Sequence, residues 1–472
     1  MKLLSLRVVA LAVLSGLCIF ISTGSLAAAE TGGFRMPDYT TVTLENGLTV
    51  NLMPQREVPL ITVNAVVRAG AVNDTTAGLA NLTANGLLLG ADGKSKLEIE
   101  QMVDFLGADI SASAGKEGSY VSARFMSRNR DTMLPLIRSV MLKPEFDTAE
   151  FEKLKQREIA DLSRAKESPR SVISRYFDKL VFQEHPYGNA SSGNSESLAK
   201  ITAGDLKAFH AHFYQPANIA INIVGDFDVK EMRAEIENLF KDWKNRGSIE
   251  QPDLTAALPS LSGNRVLLVD KSDAKESTFY IGGKGISRDN PDYVGLSVIN
   301  TILGGRFTSW LNDELRVNAG LTYGARSGFN AYSAAGLFRI STFTKTSTTK
   351  ETIDLALKTY ARLWEQGIDQ ATLDSAKSYV KGQFPPRYET TSDLAALLSD
   401  MYLYGFDDSF INDFEANVDG LTLETSRRLV KNYFPQQDLQ FVIVGNAAEI
   451  SEIAAQYGEV SKVDITAVGF EP

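Results

Sequence analysis

Apolar residues recur along the chain with two alternating periods, and each switch between them marks the end of an element. Val42-Thr-Leu44 and Leu48-Thr-Val50-Asn-Leu52 alternate around Glu45-Asn46-Gly47, which predicts a hairpin whose Asn-Gly turn supplies positive φ angles. Leu60 to Ala69 continues as a longer strand. From Gly78 to Leu89 small and apolar residues fall at helical spacing, and Ile99, Val103 and Leu106 extend a second helical stripe. Ile110 to Ala114 and Tyr120 to Met126 alternate as a strand pair. Met133 to Leu142 and Phe151 to Leu162 read as helices, the second carrying both charges on a solvent-facing side.

The stretch from Leu303 to Gly328 changes period around two polar side chains, Arg316 and Tyr323. Phe307, Leu311 and Leu315 recur at four-residue steps with Trp310 beside them. That spacing predicts a short helix opened by Gly304-Gly305, capped near Thr308 or Ser309, with Arg316 at its far end. After Asn318-Ala-Gly320, the alternation from Leu321 to Ser327 predicts a strand entering a hairpin, with Tyr323 on a sheet face near the helix end. On local physics alone, a helix-terminal Arg faces solvent and a strand Tyr packs.

The pattern also repeats. Ile201-Thr202 and Leu421-Thr422 are 220 residues apart, and so are Ile223-Val224-Gly225 and Ile443-Val444-Gly445. Each copy runs helix, aromatic pair (Phe213-Tyr214; Tyr433-Phe434), proline (Pro216; Pro435), apolar strand, Val-Gly. Two such copies imply two homologous domains, residues 38–246 and 264–472, joined by a Gly- and Pro-containing linker, residues 247–263. The expected fold is α+β, each domain a mainly antiparallel sheet with helices packed on it, the two facing each other like a clamp.

Composition adds the compartment. Residues 1–29 carry Lys2 and Arg7, an apolar run from Val8 to Ile21 and Ala27-Ala28-Ala29, the form of a secretory signal peptide cleaved near Ala29. The sole cysteine, Cys18, lies inside that run, so disulfides and thiolate chemistry are excluded from the mature chain. Losing Lys2 and Arg7 with no acid takes the formal charge from −10 to −12, which argues against nucleic acid as a partner. No later stretch has the length of a membrane-spanning helix, so stable membrane insertion is not expected and the product is periplasmic or secreted.

Two duplicated α+β halves, Gly78-Leu79-Ala80, His185-Pro186-Tyr187-Gly188, a Val-Gly-Asp ending at Asp226 and the Leu303–Tyr323 stretch together resemble the insulinase or pitrilysin peptidase family in its short two-domain form. The resemblance covers nearly the whole mature chain. It implies an inverted zinc motif, His-x-x-Glu-His, on the helix after Gly-Leu-Ala, with a downstream glutamate completing the metal site. Here the matching residues are Asn81, Leu82, Thr83, Ala84 and Asn85, with Glu158 placed for the downstream ligand. Both histidine ligands are therefore amides, and the base is a methyl group. Amide oxygens are poor zinc ligands and alanine accepts no proton, so no metal is expected in this chain. The chain has 3 histidines, His185, His210 and His212, none in a ligand pattern.

Short members of this family often pair, one chain holding zinc and the other lending an Arg and a Tyr from its second domain. The motif for that pair resembles Leu-Arg-x-x-x-Gly-Leu-x-Tyr, and it stands complete as Leu315-Arg316-Val-Asn-Ala-Gly320-Leu321-Thr-Tyr323. The resemblance thus implies a zinc-free, substrate-binding subunit of a periplasmic zinc endopeptidase. Its partner would be a homologous chain with His-x-x-Glu-His intact and bound zinc, its substrates unfolded peptides. The alternative is a catalytically inactive peptide-binding or structural scaffold.

Overall fold

Among the described residues the strands assemble into two six-stranded sheets, the first from strands the sequence predicts and the second largely from strands it does not. The first contains β1 (Thr40–Thr43), β2 (Thr49–Pro54), β3 (Leu60–Val67), β4 (Asp109–Ala114), β5 (Ser119–Met126) and β6 (Ile219–Gly225), in the order β1-β2-β6-β3-β5-β4. The second contains β7 (Arg265–Asp270), β8 (Glu276–Lys284), β9 (Arg326–Ala331), β10 (Gly336–Lys345), β11 (Gln440–Gly445) and β12 (Glu459–Asp464), in the order β9-β10-β8-β11-β7-β12. Taken from the β4 edge, the first order matches the second strand for strand. Each has a parallel pair at the same place, β2 with β6 and β7 with β11. Only the last position differs: β1 runs antiparallel to β2, whereas β12 runs parallel to β7. Mainly antiparallel sheets with helices packed on them make this an α+β protein. This computed structural model describes residues 34–470, so the expected leader lies outside the described residues.

The 220-residue repeat has a structural content. Thr202 and Thr422 both cap helices, accepting hydrogen bonds from the Asp205 and Thr425 amides at 3.3 and 3.1 Å. The hairpin turn departs from expectation, because only Gly47 has a positive φ, +88°. The Asn46 amide is used elsewhere, donating to the Phe240 and Trp243 carbonyls at 2.9 and 2.8 Å.

The two halves interlock. Helix α1 (Leu79–Gly86) and helix α2 (Thr148–Ala165) belong to the first half's own core. Helix α3 (Pro169–Phe182) crosses over, burying Val172, Ile173, Tyr176 and Phe177 against Val442 and Val444 of β11 in the second sheet. Helix α4 (Thr391–Tyr404) returns the exchange, packing on β3 and β6 of the first sheet. There Asn222 donates to the Ser399 hydroxyl at 2.8 Å and accepts from Asn51 at 2.7 Å, a buried polar row that fixes the helix on the sheet. Burying a large apolar side chain is worth about 1.5–3 kcal/mol, so α3 alone ties the halves together by on the order of 10 kcal/mol. The expected pair of facing halves is thus realised with each sheet covered by a helix from the other half. Among the described residues no helix is long and apolar enough to cross a membrane.

Candidate functional site

Helix α1 begins where Gly78 takes φ +93°, and a Cβ there would lie 2.6 Å from Leu198 Cδ2. The half-buried Asp74 carboxylate caps this start, accepting from the Gly78 and Ala80 amides at 2.8 and 2.7 Å. Asn81 and Asn85 follow one turn apart on the same face, and Asn85 Nδ2 donates to Asn81 Oδ1 at 3.3 Å. Ala84 is fully buried. Glu158 lies half-buried on α2, which packs against α1. Burial holds its carboxyl above the ordinary value, opposed by Arg157 and reinforced by Asp161. This donor set does not fit a zinc ion, since two hydrogen-bonded amides and a methyl group stand where two imidazoles and a base are needed. A groove of 400 Å³ opens beside Asn85, lined also by Lys96, Glu100 and Arg157.

The histidines have structural roles. His210 is buried, its Nε2 2.8 Å from the Met141 carbonyl, and burial pushes it down to about 4. His212, two residues on, is exposed, as opposite placement on the helix requires. His185 Nδ1 accepts from the Tyr187 amide at 3.2 Å.

Around Arg316 the geometry departs from the predicted helix and strand. Gly304-Gly305 do not open a helix; they close the preceding one, whose last turn, Thr301–Gly305, is wound as a π-helix. The glycine is needed because a Cβ at Gly304 would come within 2.2 Å of the Ser327 amide nitrogen on β9. The helix then starts after Ser309 as a single α-turn, Trp310–Asn312, and widens to a π-helix over Asp313–Asn318 that carries Arg316. Phe307 precedes it and is 64% exposed, so it is no part of a buried stripe. Gly320 at φ +66° closes the wide turn, and the Leu321 amide donates to the Leu315 carbonyl at 2.8 Å.

Tyr323 is not on a strand, since β9 begins only at Arg326. Its segment is held by side chains: Thr344 Oγ1 donates to the Leu321 carbonyl at 2.8 Å and Thr342 Oγ1 to the Gly324 carbonyl at 2.9 Å. Asn312, which sequence reading did not single out, joins helix to segment. Its Oδ1 accepts from the buried Ala325 amide at 3.1 Å and its Nδ2 donates to the Phe307 carbonyl at 2.8 Å. In the sequence it is the first of three consecutive polar residues, Asn312-Asp313-Glu314, and nothing there sets it apart.

Arg316 and Tyr323 are presented by different neighbours. The Arg316 guanidinium lies 4.7 Å from the Phe307 ring centre, a cation–π contact. The Tyr323 ring stacks on Phe343 with centroids 6.4 Å apart and is 82% exposed, so it is not a buried packing residue. With Phe307 and Val317, both 64% exposed, Tyr323 leaves apolar surface uncovered along one short segment. A phenolic hydroxyl and a guanidinium facing solvent can donate hydrogen bonds to a carbonyl oxygen or to an oxyanion.

Residues 52–195 match the model of the insulinase family, peptidase family M16, and residues 200–380 match that of the peptidase M16 inactive domain. A Helicobacter pylori protein named non-peptidase homolog YmxG is 25% identical over 375 residues, 78% of this chain and 84% of that protein. The zinc protease PqqE of the same strain is 24% identical over 406 residues, covering 84% and 91%. The crystal structure of a peptidase M16 inactive domain from Pseudomonas fluorescens matches with a TM-score of 0.80 at 28% identity, covering 87% of this chain and 98% of that one.

Proposed function

Because the chain belongs to the insulinase family of peptidases and lacks that family's zinc motif, we propose that it is the zinc-free subunit of a two-chain endopeptidase. It acts in the periplasm after removal of residues 1–29 and binds unfolded peptides. Its partner is a homologous chain with His-x-x-Glu-His intact, which supplies the zinc, the base and the attacking water. This chain supplies Arg316 and Tyr323. Both donate hydrogen bonds without being consumed, so they hold the peptide carbonyl and then the oxyanion that forms from it.

The observation that carries this reading is the exposure of Tyr323, 82%, on a segment anchored by Asn312, Thr342 and Thr344. A rigid mount for an exposed phenol suits a group that acts on something outside the chain, and an inert scaffold has no use for it. The two Helicobacter pylori relatives support a pairing, since one strain holds both a non-peptidase homolog and a zinc protease similar to this chain.

The test is reconstitution. The mature chain alone is expected to leave an unstructured peptide intact, and mixed with the zinc-bearing homologue it is expected to co-elute with it and raise cleavage well above the homologue alone. Separate elution with no gain in cleavage would return the chain to the scaffold reading.

A further inference from the structure

Beside Tyr323 the second sheet opens into a groove of 370 Å³, on the face that α3 covers. Arg326 on β9 pairs with Ser341 on β10, and Ser341 with Tyr280 on β8, so the three side chains form one row across neighbouring strands. In the next row of that face Phe343 stands opposite Thr278. Arg170 reaches this row from the first half, out of the first turn of α3. Its guanidinium carbon lies 3.4 Å from the Phe343 ring centre, and its Nη2 is 3.1 Å from Glu276. Phe343 thus touches both Arg170 and Tyr323.

Among the described residues, Arg170 and Arg326 are the only charged ones lining this groove. Arg170 has Glu276 as a counter-ion, whereas Arg326 is exposed and its guanidinium engages no hydrogen bond or ion pair among the described residues. A guanidinium is a planar fork matched to the two oxygens of a carboxylate. The chain as a whole carries a formal charge of −10, so its general field repels an acidic ligand and any preference for one must arise locally.

We propose, building on the peptide-binding role of Arg316 and Tyr323, that this groove selects a carboxylate carried by the bound peptide. Arg326 receives it, and the Ser341 and Tyr280 hydroxyls complete a polar floor, while Arg170 stays paired with Glu276. The substrate class is therefore a peptide with an acidic side chain, or its C-terminal carboxylate, close to the carbonyl that Tyr323 contacts.

Fluorescence anisotropy with a neutral fluorophore tests this on the mature chain. Three unstructured, C-terminally amidated peptides differ only in a central Glu, Gln or Lys, and a fourth is the Gln peptide with a free C-terminal carboxylate. The Glu peptide is expected to bind about tenfold tighter than the Gln peptide, the scale of one charge-assisted hydrogen bond at an exposed site, and the Lys peptide most weakly. A gain for the fourth peptide would identify the terminal carboxylate as an occupant of the same groove. In Arg326→Ala the preference should fall to about twofold, and in Arg170→Lys, which keeps the charge, most of it should remain. Equal binding of the Glu, Gln and free-carboxylate peptides, or a preference untouched by Arg326→Ala, overturns the groove assignment. If Arg316→Ala then still weakens all peptides alike, the peptide-binding role stands without it. If instead the preference holds while Arg316→Ala changes nothing, the groove stands and that role falls. No binding by any peptide overturns both.

Discussion

Replacing Asn312 by alanine tests how Tyr323 is held. Asn312 is buried, and its amide makes both bonds that join the Trp310–Asn312 turn to its surroundings, accepting from Ala325 at 3.1 Å and donating to Phe307 at 2.8 Å. The two losses differ in size. Phe307 is exposed, so water can take over its carbonyl at a cost of about 0.5–1 kcal/mol, whereas Ala325 is 1% exposed and its amide would be left without a partner, costing about 1–3 kcal/mol. The Thr342 and Thr344 bonds to Gly324 and Leu321 remain. The net effect on closure of the segment is therefore about 1.5–4 kcal/mol, which corresponds to roughly ten- to several-hundredfold faster hydrogen exchange at the Ala325 amide. Exchange of β11 amides at the sheet centre should change much less. Turnover by the reconstituted pair should fall although Tyr323 itself is untouched, because a donor that wanders loses its alignment with the carbonyl. If Ala325 exchanges at the wild-type rate and turnover is unchanged, the threonines alone position Tyr323 and the role given to Asn312 is wrong.

The dialysed mature chain is expected to contain no stoichiometric zinc by elemental analysis; one zinc per chain, lost on changing Glu158, would contradict the reading of Asn81, Ala84 and Asn85. Burial pushes His210 down to about 4, so below pH ~6.5 the unfolded chain takes up a proton that the folded imidazole refuses. His210 therefore makes stability fall as pH drops from about 6.5 to about 4, by up to ~1.4 kcal/mol per pH unit. Urea unfolding at pH 7 and 5 should show that loss reduced in His210→Gln, and an identical pH dependence in both proteins would refute it. N-terminal sequencing of the exported protein should begin near Glu30, and retention of Met1 would exclude cleavage after the alanine run.

β4 and β5 were legible because exposure alternates along them, β6 and β11 as short apolar runs buried on both faces, and the 220-residue repeat because caps such as Thr202 and Thr422 recur with the strands they precede. The exchange of α3 and α4 was not. Periodicity shows that a helix has an apolar face and says nothing of which sheet covers it. Tyr323 was misplaced for a similar reason. Leu321-Thr-Tyr323-Gly alternates like a strand, but the Leu321 and Gly324 carbonyls accept from threonine side chains where a strand would have backbone partners. Spacing alone also put Phe307 in the apolar stripe, although the helix begins only after Ser309, one of the two expected caps, and Phe307 lies before it. Gly304-Gly305 looked like a helix start, whereas the glycine at 304 is set by close contact with β9 far along the chain. Arg316 and Tyr323 themselves were found through the family resemblance, because no local pattern distinguishes an exposed functional Tyr from a packed one.

The claim that Tyr323 acts on the transition state in a partner's site is tested most directly by Tyr323→Phe in the reconstituted pair. The phenyl ring keeps the stack on Phe343 and loses only the hydroxyl donor. Removing one such donor typically costs about a hundredfold or more in turnover, while pairing by gel filtration and peptide binding change little. That is the predicted result. Wild-type turnover by a Tyr323→Phe chain that pairs normally would contradict the account.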